Sequence, residues 1–264
     1  MTPILMLGAG RMGGALIDGW RAAGAFQASE LLIREPNANP TVEAAAQAGA
    51  LINPADEVLA RAKTVLLAVK PQIWREAAAE VAQHLAPDAV IVSIAAGVKS
   101  TDISQAFGGR SVARVMPTTA VAIGQGTTSI YAASSEARAR AHALFGPVGT
   151  AVDLAEEELL HAATGVSGSA PAYLYAFVEA LEAAGAAAGL PSEDASRLAR
   201  STITGAAALL ARSGEEPAEL RKQVTSPGGT TQAALEVLLG QGGLPDLLRD
   251  AVAAAARRSK ELGG

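Results

Sequence analysis

A glycine loop near the N-terminus constrains the fold more than any other feature of this sequence. Residues 8–13 read Gly-Ala-Gly-Arg-Met-Gly and directly follow the short apolar run Ile4–Leu7. Apolar side chains then recur at helical spacing as far as Gly24, a residue typical of helix ends. A glycine-rich turn between the first strand and the first helix is the arrangement that binds the pyrophosphate of a dinucleotide. The sequence therefore predicts a dinucleotide-binding domain at this end of the chain.

The three glycines of the loop fit three different mechanical requirements. Gly8 permits a tight turn, Gly10 lets a pyrophosphate approach the backbone, and Gly13 lets the helix pack closely on the sheet. The N-terminus of the following helix adds free N–H groups and partial positive charge. The alternative is an ordinary strand–helix turn with incidental glycines. The residues expected to contact the cofactor here are Gly8, Ala9, Gly10, Arg11, Met12 and Gly13.

Apolar runs alternate with helical patterns as far as residue 153. The predicted strands are Ile4–Leu7, Glu30–Arg34, Val65–Val69, Val90–Ile94 and Val112–Met116. Further helices are predicted at Val42–Ala48 and Trp74–Leu85. Strands that are apolar throughout and alternate with helices predict a parallel sheet covered on both faces. The fold class is therefore α/β, with a Rossmann-type doubly wound sheet at residues 1–153.

From residue 154 onward the pattern is helical, which predicts an all-α domain over residues 154–264. Ser169 is typical of an N-cap, and Pro217 suits the first turn of a helix. The last two helices are predicted at Thr230–Leu239 and Leu244–Leu262. Alanine-rich helices bury little apolar area each, so this half is expected to need a partner subunit to complete its core.

Composition excludes several classes of function. The chain of 264 residues has a formal net charge of −5 and no run of basic residues, so no nucleic-acid partner is expected. It contains no cysteine, and its three histidines show no metal-ligand spacing, so no metal is expected. No signal peptide or membrane span is predicted, because glycine, serine and proline interrupt the long uncharged stretch at residues 159–178. A cytoplasmic location is the expectation.

Two charged residues after the second predicted strand bear on the choice of cofactor. The strand ends at Arg34 and Glu35. An acid at this place usually accepts hydrogen bonds from ribose hydroxyls and disfavours the 2′-phosphate of NADP. An arginine can instead pair with that phosphate. Both residues could also be simple solvated charges, and the sequence leaves NADP and NAD open.

A second glycine-containing loop lies in the helical half. Residues 226–231 read Ser-Pro-Gly-Gly-Thr-Thr, and a helix is predicted to start at about Thr230. Glycines at this point are expected to leave backbone N–H groups uncovered at a helix N-terminus, where a carboxylate would fit. Thr231 places a hydroxyl in the first turn, where it can donate to a nearby nitrogen or oxygen. A capped loop between two helices is the alternative interpretation.

Four motifs in order resemble those of one family. Residues 224–231, Val-Thr-Ser-Pro-Gly-Gly-Thr-Thr, closely resemble the signature of pyrroline-5-carboxylate reductase. Residues 68–72 (Ala-Val-Lys-Pro-Gln) and 93–98 (Ser-Ile-Ala-Ala-Gly-Val) are similar to two of its strand ends. Residues 167–173 resemble its helix entry, with Ala170 in place of a glycine. The order and spacing of these motifs cover nearly the whole chain.

The resemblance implies a reaction, a cofactor and an assembly. The family reduces the cyclic imine 1-pyrroline-5-carboxylate to L-proline, the last step of proline biosynthesis, with NADPH or NADH as hydride donor. Its fold is a Rossmann domain followed by a helical dimerisation domain. Its members often assemble dimers into decamers. By resemblance, this chain is then an NADP- or NAD-dependent oxidoreductase that forms a homodimer through its C-terminal helices.

The resemblance also assigns roles to individual residues. Backbone N–H groups of the second loop would clamp the substrate carboxylate, and the Thr231 hydroxyl would hydrogen-bond the ring nitrogen as the catalytic group. The substrate-binding residues would be Ser226, Gly228, Gly229, Thr230, Thr231 and, held loosely, Glu157. Further cofactor contacts would come from Ala68, Val69, Lys70, Pro71, Ala95, Ala96, Gly97 and Gln223. Lys70 has a structural and cofactor-contact role in this interpretation, rather than that of a proton donor.

Three residues depart from the family pattern, and two other functions are alternatives to the one that the resemblance implies. Thr118 and Ala120 stand where the family commonly has asparagine and proline, and Ala55 where it often has asparagine, which bears on cofactor affinity. A β-hydroxyacid dehydrogenase would typically carry a catalytic lysine in its long interdomain helix, and residues 174–188 contain none. A dinucleotide-binding regulator without turnover would have no need of the second loop.

Overall fold

Eight strands form one sheet in the first part of the chain. The computed structural model describes residues 1–262. The strands are β1 (Ile4–Leu7), β2 (Leu31–Arg34), β3 (Leu51–Ile52), β4 (Thr64–Leu67), β5 (Val90–Ser93), β6 (Val112–Pro117), β7 (Gly126–Ala132) and β8 (Gly149–Asp153). Their spatial order is β3-β2-β1-β4-β5-β6-β7-β8. This arrangement confirms the predicted α/β class with a doubly wound sheet.

One pair of strands departs from the predicted parallel sheet. β6 and β7 run antiparallel, whereas β7 and β8 are again parallel. A short 3-10 turn at Thr119–Ile123 reverses the chain between β6 and β7, and Gly124 ends that turn with a φ of 70°. Antiparallel neighbours can be joined by such a short connection, whereas parallel strands need a long crossover. Strands β3, β7 and β8 were not predicted from the sequence, because β3 is two residues long and β7 and β8 contain glycine and polar residues.

Seven helices accompany the strands in this part of the chain. They are α1 (Arg11–Ala23), α2 (Pro40–Gln47), α3 (Asp56–Leu59), α4 (Trp74–Val81), α5 (Ser100–Ala106), α6 (Ser135–Phe145) and α7 (Leu159–Ala163). Gly24 ends α1 in the left-handed conformation, as its position predicts. Asn39 caps α2 by accepting a hydrogen bond of 3.0 Å from Val42 N. The predicted helices at residues 42–48 and 74–85 are therefore present with shifted ends.

The sheet is buried on both faces, and β1 shows why. Ile4 and Met6 belong to one cluster of buried side chains, while Leu5 and Leu7 belong to the other. Successive strand residues point to opposite faces, so an apolar strand needs helices on both sides. Trp20 of α1 fills the first cluster and donates a 2.7 Å hydrogen bond to the carbonyl oxygen of Leu144. Burial of each such large side chain contributes about 1.5–3 kcal/mol.

The strand order reverses between β1 and β4. β2 and β3 continue the sheet on one side of this pair, and β5 to β8 continue it on the other. In open sheets of this kind, ligands bind outside the carboxyl ends of the strands at such a reversal. The segments that follow the two strands begin at Gly8 and Ala68, so the glycine loop lies at the expected binding position.

Helices alone make up the described chain after β8. They continue with α8 (Ala170–Ala187), α9 (Ser192–Ser213), α10 (Pro217–Gln223), α11 (Thr230–Leu238) and α12 (Leu244–Glu261). Two compact units are present: Met1–Gly168 together with the end of α12 from Ala253, and Ser169–Val252. The units divide after α7, since α7 lies against β6 and β7. The last strand ends at Asp153, where the sequence analysis expects the all-α part to begin.

The second unit buries very little within one chain. Ala195 and Ala199 of α9 are its only buried residues among those described. On α8 the large exposed apolar side chains are Leu174, Tyr175, Phe177 and Leu181. Leu174, Phe177 and Leu181 are spaced three and four residues apart, so they lie on one face of α8. Among residues 1–262, no helix combines the length and apolar character needed to cross a membrane.

Candidate functional site

The glycine loop has the backbone geometry that its sequence predicts. Gly8 has a φ of 90°, a conformation that other residues rarely adopt. A Cβ on Gly13 would lie 2.4 Å from the carbonyl oxygen of Gly8, so only glycine allows α1 to approach the loop this closely. A Cβ on Gly10 would meet nothing within 4 Å. The space over Gly10 is therefore open to a ligand.

The N-terminus of α1 offers unpaired donors at the same place. Gly10 is the N-cap of α1, and no side chain caps this helix end with a hydrogen bond. The first hydrogen bond of the helix runs from Gly14 N to Gly10 O at 2.7 Å, so the N–H groups of Arg11, Met12 and Gly13 precede it. These N–H groups and the helix dipole favour a bound anion such as a pyrophosphate.

A cavity of about 710 Å³ extends from the loop along the carboxyl ends of β1, β2 and β4. A volume of this size is typical of small-molecule and cofactor sites. Its lining residues are Leu7, Gly8, Gly10, Arg34, Glu35, Pro36, Asn37, Asn39, Asn53, Ala68, Val69, Lys70, Ile73, Glu76, Ala77, Glu80 and Val81. The open space over Gly10, the free N–H groups and this cavity together fit an extended dinucleotide.

Two side chains hold the peptide groups of Ala9 in place. Ala9 N donates to Glu35 Oε2 at 2.8 Å, and Asn39 Nδ2 donates to Ala9 O at 3.3 Å. The loop is further tied to β2 by a 2.9 Å hydrogen bond from Gly8 N to Arg34 O. Asn39 was not among the residues predicted for the site. Its position before Pro40 marks it as a helix cap, and only the fold brings it to the glycine loop.

The side chains of Arg34 and Glu35, at the end of β2, have different partners. Arg34 Nη2 pairs with Asp56 Oδ1 at 2.5 Å, and Arg34 Nε is buried without a hydrogen-bond partner among the described residues. Asp56 also lies 3.4 Å from His84 Nε2. Glu35 points instead to the glycine loop. Of the two, Glu35 therefore has the closer link to the backbone that would hold a pyrophosphate.

The turns after β4 and β5 were predicted to line the nicotinamide end. Ala68, Val69 and exposed Lys70 line the cavity, whereas the neighbouring Pro71 does not appear in its wall. The segment Ala95–Gly97 follows β5 and is mostly buried. It lies outside the cavity lining, one strand further from the glycine loop.

Glu157 forms a largely buried cluster with Arg114 and Ser100. Its Oε1 accepts from Ser100 N at 2.6 Å and from Arg114 Nη1 at 2.8 Å, and its Oε2 accepts from Ser100 Oγ at 2.8 Å. The exposed fractions of the Arg114 and Glu157 side chains are 5% and 22%. Burial raises the pKa of Glu157, but the hydrogen bonds from Arg114 and Ser100 outweigh it and lower the pKa below its usual value. Glu157 therefore stays ionised and ties the segment before α7 to β6 and α5.

The second loop, in the helical unit, is closed partly by its own groups. Gly229 N donates to Ser226 O at 3.0 Å, and Gly228 N donates to Gln232 Oε1 at 2.7 Å. The expectation that both glycines leave their N–H groups uncovered is therefore wrong, because loop atoms occupy them. The first hydrogen bond of α11 runs from Ala233 N to Gly229 O at 3.2 Å. The N–H groups of Thr230 and Thr231 precede that bond and remain available to an anion.

The remaining polar candidates lie elsewhere. Gln223, predicted as a cofactor contact, donates from Nε2 to Glu215 Oε2 at 2.5 Å in the helical unit. His161 Nδ1 lies 3.0 Å from Ser259 Oγ, and burial lowers the pKa of His161. Within residues 1–262, no group of three histidine or acidic side chains is placed to hold a metal ion. Ser100 was not predicted for the site, since nothing in its local sequence indicates its contact with Glu157.

Comparison with known proteins covers both units. The family described as pyrroline-5-carboxylate reductase dimerisation matches residues 157–262. The family described as NADP oxidoreductase coenzyme F420-dependent matches residues 3–97. These two matches correspond to the helical half and to the part of the sheet that carries the glycine loop.

Individual relatives are similar over almost the whole chain. The pyrroline-5-carboxylate reductase of Pisum sativum is 37% identical over 261 residues, which cover 97% of this chain and 94% of the relative. That of Pseudomonas aeruginosa is 39% identical over 267 residues, covering 99% and 97%. The crystal structure of the Plasmodium falciparum pyrroline carboxylate reductase with NADP bound superposes with a TM-score of 0.85 at 25% identity, covering 100% of this chain and 98% of that chain.

Proposed function

The chain belongs to the pyrroline-5-carboxylate reductase family, and from that membership we propose which of its residues carry the reaction. It is an NADP(H)-dependent oxidoreductase that reduces the cyclic imine 1-pyrroline-5-carboxylate to L-proline, the last step of proline biosynthesis. The observation that carries this function is identity of 37–39% to curated reductases across both units. The glycine loop also has the backbone geometry that its sequence predicts.

The reaction needs little from the protein besides orientation. A protonated C=N bond is already an electrophile, so reduction at its carbon requires no strong acid from a side chain. NADPH supplies the hydride when it is bound. The residues of this chain have to bind the two reactants, fix their orientation and place a hydrogen-bonding group at the ring nitrogen.

The glycine loop and the cavity beside it are proposed to bind the dinucleotide. The residues assigned to this task are Gly8, Ala9, Gly10, Arg11, Met12, Gly13, Arg34, Glu35, Ala68, Val69, Lys70, Pro71, Ala95, Ala96 and Gly97. The open space over Gly10 and the free N–H groups at α1 support the pyrophosphate position. The burial of Ala95 and Gly97 supports an indirect role for that turn, through the position of its backbone. Gln223 is retained as a proposed cofactor contact.

The Ser226–Thr231 loop is proposed to bind the substrate carboxylate. Because loop atoms occupy the N–H groups of Gly228 and Gly229, the available backbone donors are those of Thr230 and Thr231. Gly228 and Gly229 then shape the loop, and the Thr231 hydroxyl hydrogen-bonds the ring nitrogen as the catalytic group, with its oxygen accepting from the N–H of the protonated imine. Ser226 is exposed and offers a further hydroxyl.

Glu157, expected near the substrate, is proposed to act as a positioning residue. Both of its carboxylate oxygens accept hydrogen bonds from Ser100 or Arg114. A carboxylate held in this way has little capacity left for a substrate. It would act by fixing the segment that leads to the π-helical turn at Thr164–Gly168 and then to α8.

The helical half is proposed to form a homodimer. A decamer built from such dimers is proposed as the larger assembly. The match to a dimerisation family indicates an oligomer, and the exposed apolar side chains of α8 support a subunit interface at the C-terminal helices. Two domains at residues 1–153 and 154–264 and a cytoplasmic location stay proposals as well. Sedimentation of the purified chain distinguishes monomer, dimer and decamer, and cell fractionation tests the location.

The activity itself is tested by following the oxidation of NADPH and of NADH with 1-pyrroline-5-carboxylate. The expected result is formation of L-proline in amounts equal to the nicotinamide oxidised, without added metal. A purified, folded oligomer that binds dinucleotide but forms no proline would contradict the reductase function.

A further inference from the structure

The turn at residues 95–97 is held to the sheet on the side of β5. Ala95 N donates to Ser93 Oγ at 3.2 Å, and Ser93 is buried at the end of β5. Within residues 1–262, no group accepts a hydrogen bond from the N–H groups of Ala96 or Gly97. The entry of the turn is therefore fixed, and its middle presents two free backbone donors.

Helix α5 begins at Ser100, directly after the segment that leads out of this turn, and it has no cap of its own. Lys99 is the N-cap, and its side chain makes no capping hydrogen bond. The first hydrogen bond of α5 runs from Ile103 N to Lys99 O at 3.1 Å. The N–H groups before that bond need acceptors from elsewhere in the chain.

Glu157 supplies such an acceptor from a segment 57 residues further along the chain. Its two carboxylate oxygens accept from Ser100 N and from Ser100 Oγ. A carboxylate at a helix N-terminus also interacts favourably with the helix dipole. Arg114, which is buried on β6, donates to the same carboxylate. The start of α5 is therefore tied through Glu157 to β6.

These contacts close a ring around the turn. Ser93 and Arg114 are paired residues on the neighbouring parallel strands β5 and β6. Ser93 holds the entry of the turn. Arg114 holds its exit, through Glu157 and the start of α5. The position of the turn is therefore set from both ends by paired residues of the sheet.

The turn lies where the second half of a dinucleotide would extend. In doubly wound sheets a dinucleotide binds across the reversal of strand order, with one half on each side. The cavity on the β2 side of the glycine loop fits the adenosine half, so the nicotinamide half extends toward β4 and β5. Hydride transfer depends steeply on the alignment of the two reacting carbons, and a displacement of about 1 Å can cost about 100-fold in rate.

We propose that Ser100 and Arg114, acting through Glu157, are positioning residues for hydride transfer. They fix the turn at residues 95–97, so that its backbone holds the nicotinamide end of the dinucleotide in one orientation. This role rests on the proposed reductase function and cofactor site. It adds to the role of Glu157 in fixing the segment that leads to α8, and it requires none of the three side chains to touch a reactant.

Ser100→Ala is the central variant, because it removes the hydrogen bond from Ser100 Oγ to Glu157 and keeps the one from Ser100 N. The rate of NADPH oxidation in a single turnover, followed by stopped flow with saturating 1-pyrroline-5-carboxylate, should fall about tenfold. The dissociation constant of NADPH and the KM of the imine should stay within about twofold. Ser100→Thr keeps the hydroxyl and should restore most of the rate.

Ser104→Ala is the matched control. Ser104 lies in the last turn of the same helix, where its Oγ donates to Arg110 O at 2.9 Å. Both alanine variants lose one side-chain hydrogen bond of α5, so both should lower the unfolding temperature by similar amounts. Only Ser100→Ala should slow the single turnover, because only Ser100 lies at the end of α5 that follows the turn.

Arg114→Lys tests the other end of the ring. It keeps the buried charge and loses the planar guanidinium that reaches Glu157, so its single-turnover rate should also fall. In the double variant with Ser100→Ala the two losses should not multiply, since both act on Glu157. A combined loss equal to the product of the single losses would contradict the shared action through Glu157. If Arg114→Lys does not fold, the Ser100 variants decide the result.

An unchanged single-turnover rate in Ser100→Ala, or an equal loss in Ser104→Ala, would overturn the positioning role. A loss confined to the KM of the imine or to the dissociation constant of NADPH would overturn it as well, as would a Ser100→Thr variant as slow as Ser100→Ala. If the folded wild-type protein oxidised no NADPH with the imine, the proposed reductase function itself would be wrong. The two failures are therefore distinguishable.

Discussion

The chain contains two loops that each open a helix N-terminus, and they differ in what holds them. The glycine loop precedes α1, a helix with six buried residues, and follows the fully buried strand β1. The Ser226–Thr231 loop precedes α11, which buries no residue within one chain. The first loop is therefore shaped by a core that a single chain completes. The second lies in a unit whose apolar faces are exposed in a single chain, where we propose that a partner subunit covers them.

The two loops also use their polar groups differently. Side chains from outside the glycine loop, those of Glu35 and Asn39, hold the peptide groups of Ala9. The Ser226–Thr231 loop is closed locally, by Ser226 O and by the side chain of Gln232 in the first turn of α11. The contacts of the glycine loop with Glu35 and Asn39 fix its position relative to the sheet. The contacts of the Ser226–Thr231 loop fix only its own conformation. Its position then depends on the packing of the helices around it.

The largest expected effect comes from disrupting the apolar face of α8. Leu181→Glu places a charge on the face of α8 that carries Leu174 and Phe177. In a dimer with two-fold symmetry, the interface contains this substitution once from each subunit. The loss of two buried leucines costs about 3–6 kcal/mol per dimer. Sedimentation should show monomers, while NADPH binding at the glycine loop persists. Glu179→Lys, on the polar side of the same helix, is the control, and a dimer that survives Leu181→Glu would place the interface elsewhere.

Gly10→Val tests the glycine loop with the next largest effect. The side chain meets nothing within 4 Å, and Gly10 has a φ of −68°, so the variant should fold normally. It fills the space proposed for the pyrophosphate and should weaken NADPH binding about 100-fold, equal to roughly 3 kcal/mol of charge-assisted hydrogen bonding. Fluorescence titration measures this change. Retained affinity would place the pyrophosphate away from Gly10.

Thr231→Ala tests the second loop. Removal of the hydroxyl should lower kcat/KM roughly 30-fold, the value of one hydrogen bond to a charged group at about 2 kcal/mol. NADPH affinity and the unfolding temperature should stay unchanged, since the side chain is not part of a buried core. Thr231→Ser keeps the hydroxyl and should restore most of the activity. Equal activity of the alanine and serine variants would remove Thr231 from the reaction.

Glu157→Gln has the smallest expected effect and is measured as stability against pH. The folded pKa of Glu157 is lowered, so its ionised form stabilises the fold above the pKa of the unfolded carboxyl, about 4.3. That stabilisation disappears as the pH falls through the lower folded pKa. The variant should lose about 1 kcal/mol at pH 7 and differ little from wild type in acid. A difference that persists in acid would point to lost packing instead of lost charge.

The predictions from sequence succeeded where local pattern carries the information. The glycine loop, the end of α1 at Gly24 and the helix starts at Ser169, Pro217 and Thr230 all lie where spacing and capping residues place them. Strand β3 was missed because it is only two residues long, and β7 and β8 were missed because their residues lack a continuous apolar run. Their strand conformation comes from pairing with neighbours distant in the chain.

The glycine loop and the family motifs determined the fold class, the cofactor class and the reaction from sequence alone. This was possible because the backbone freedom of glycine and the hydrogen-bonding groups of a motif depend on residues that are close together in the chain. Whether Arg34 or Glu35 faces the loop was decided by tertiary structure alone, since Asp56, Asn53 and Ala9 come from separate segments of the sheet. The same holds for the contacts of Glu157. A fixed charge acts through its position in space, and that position arises only when distant segments pack together.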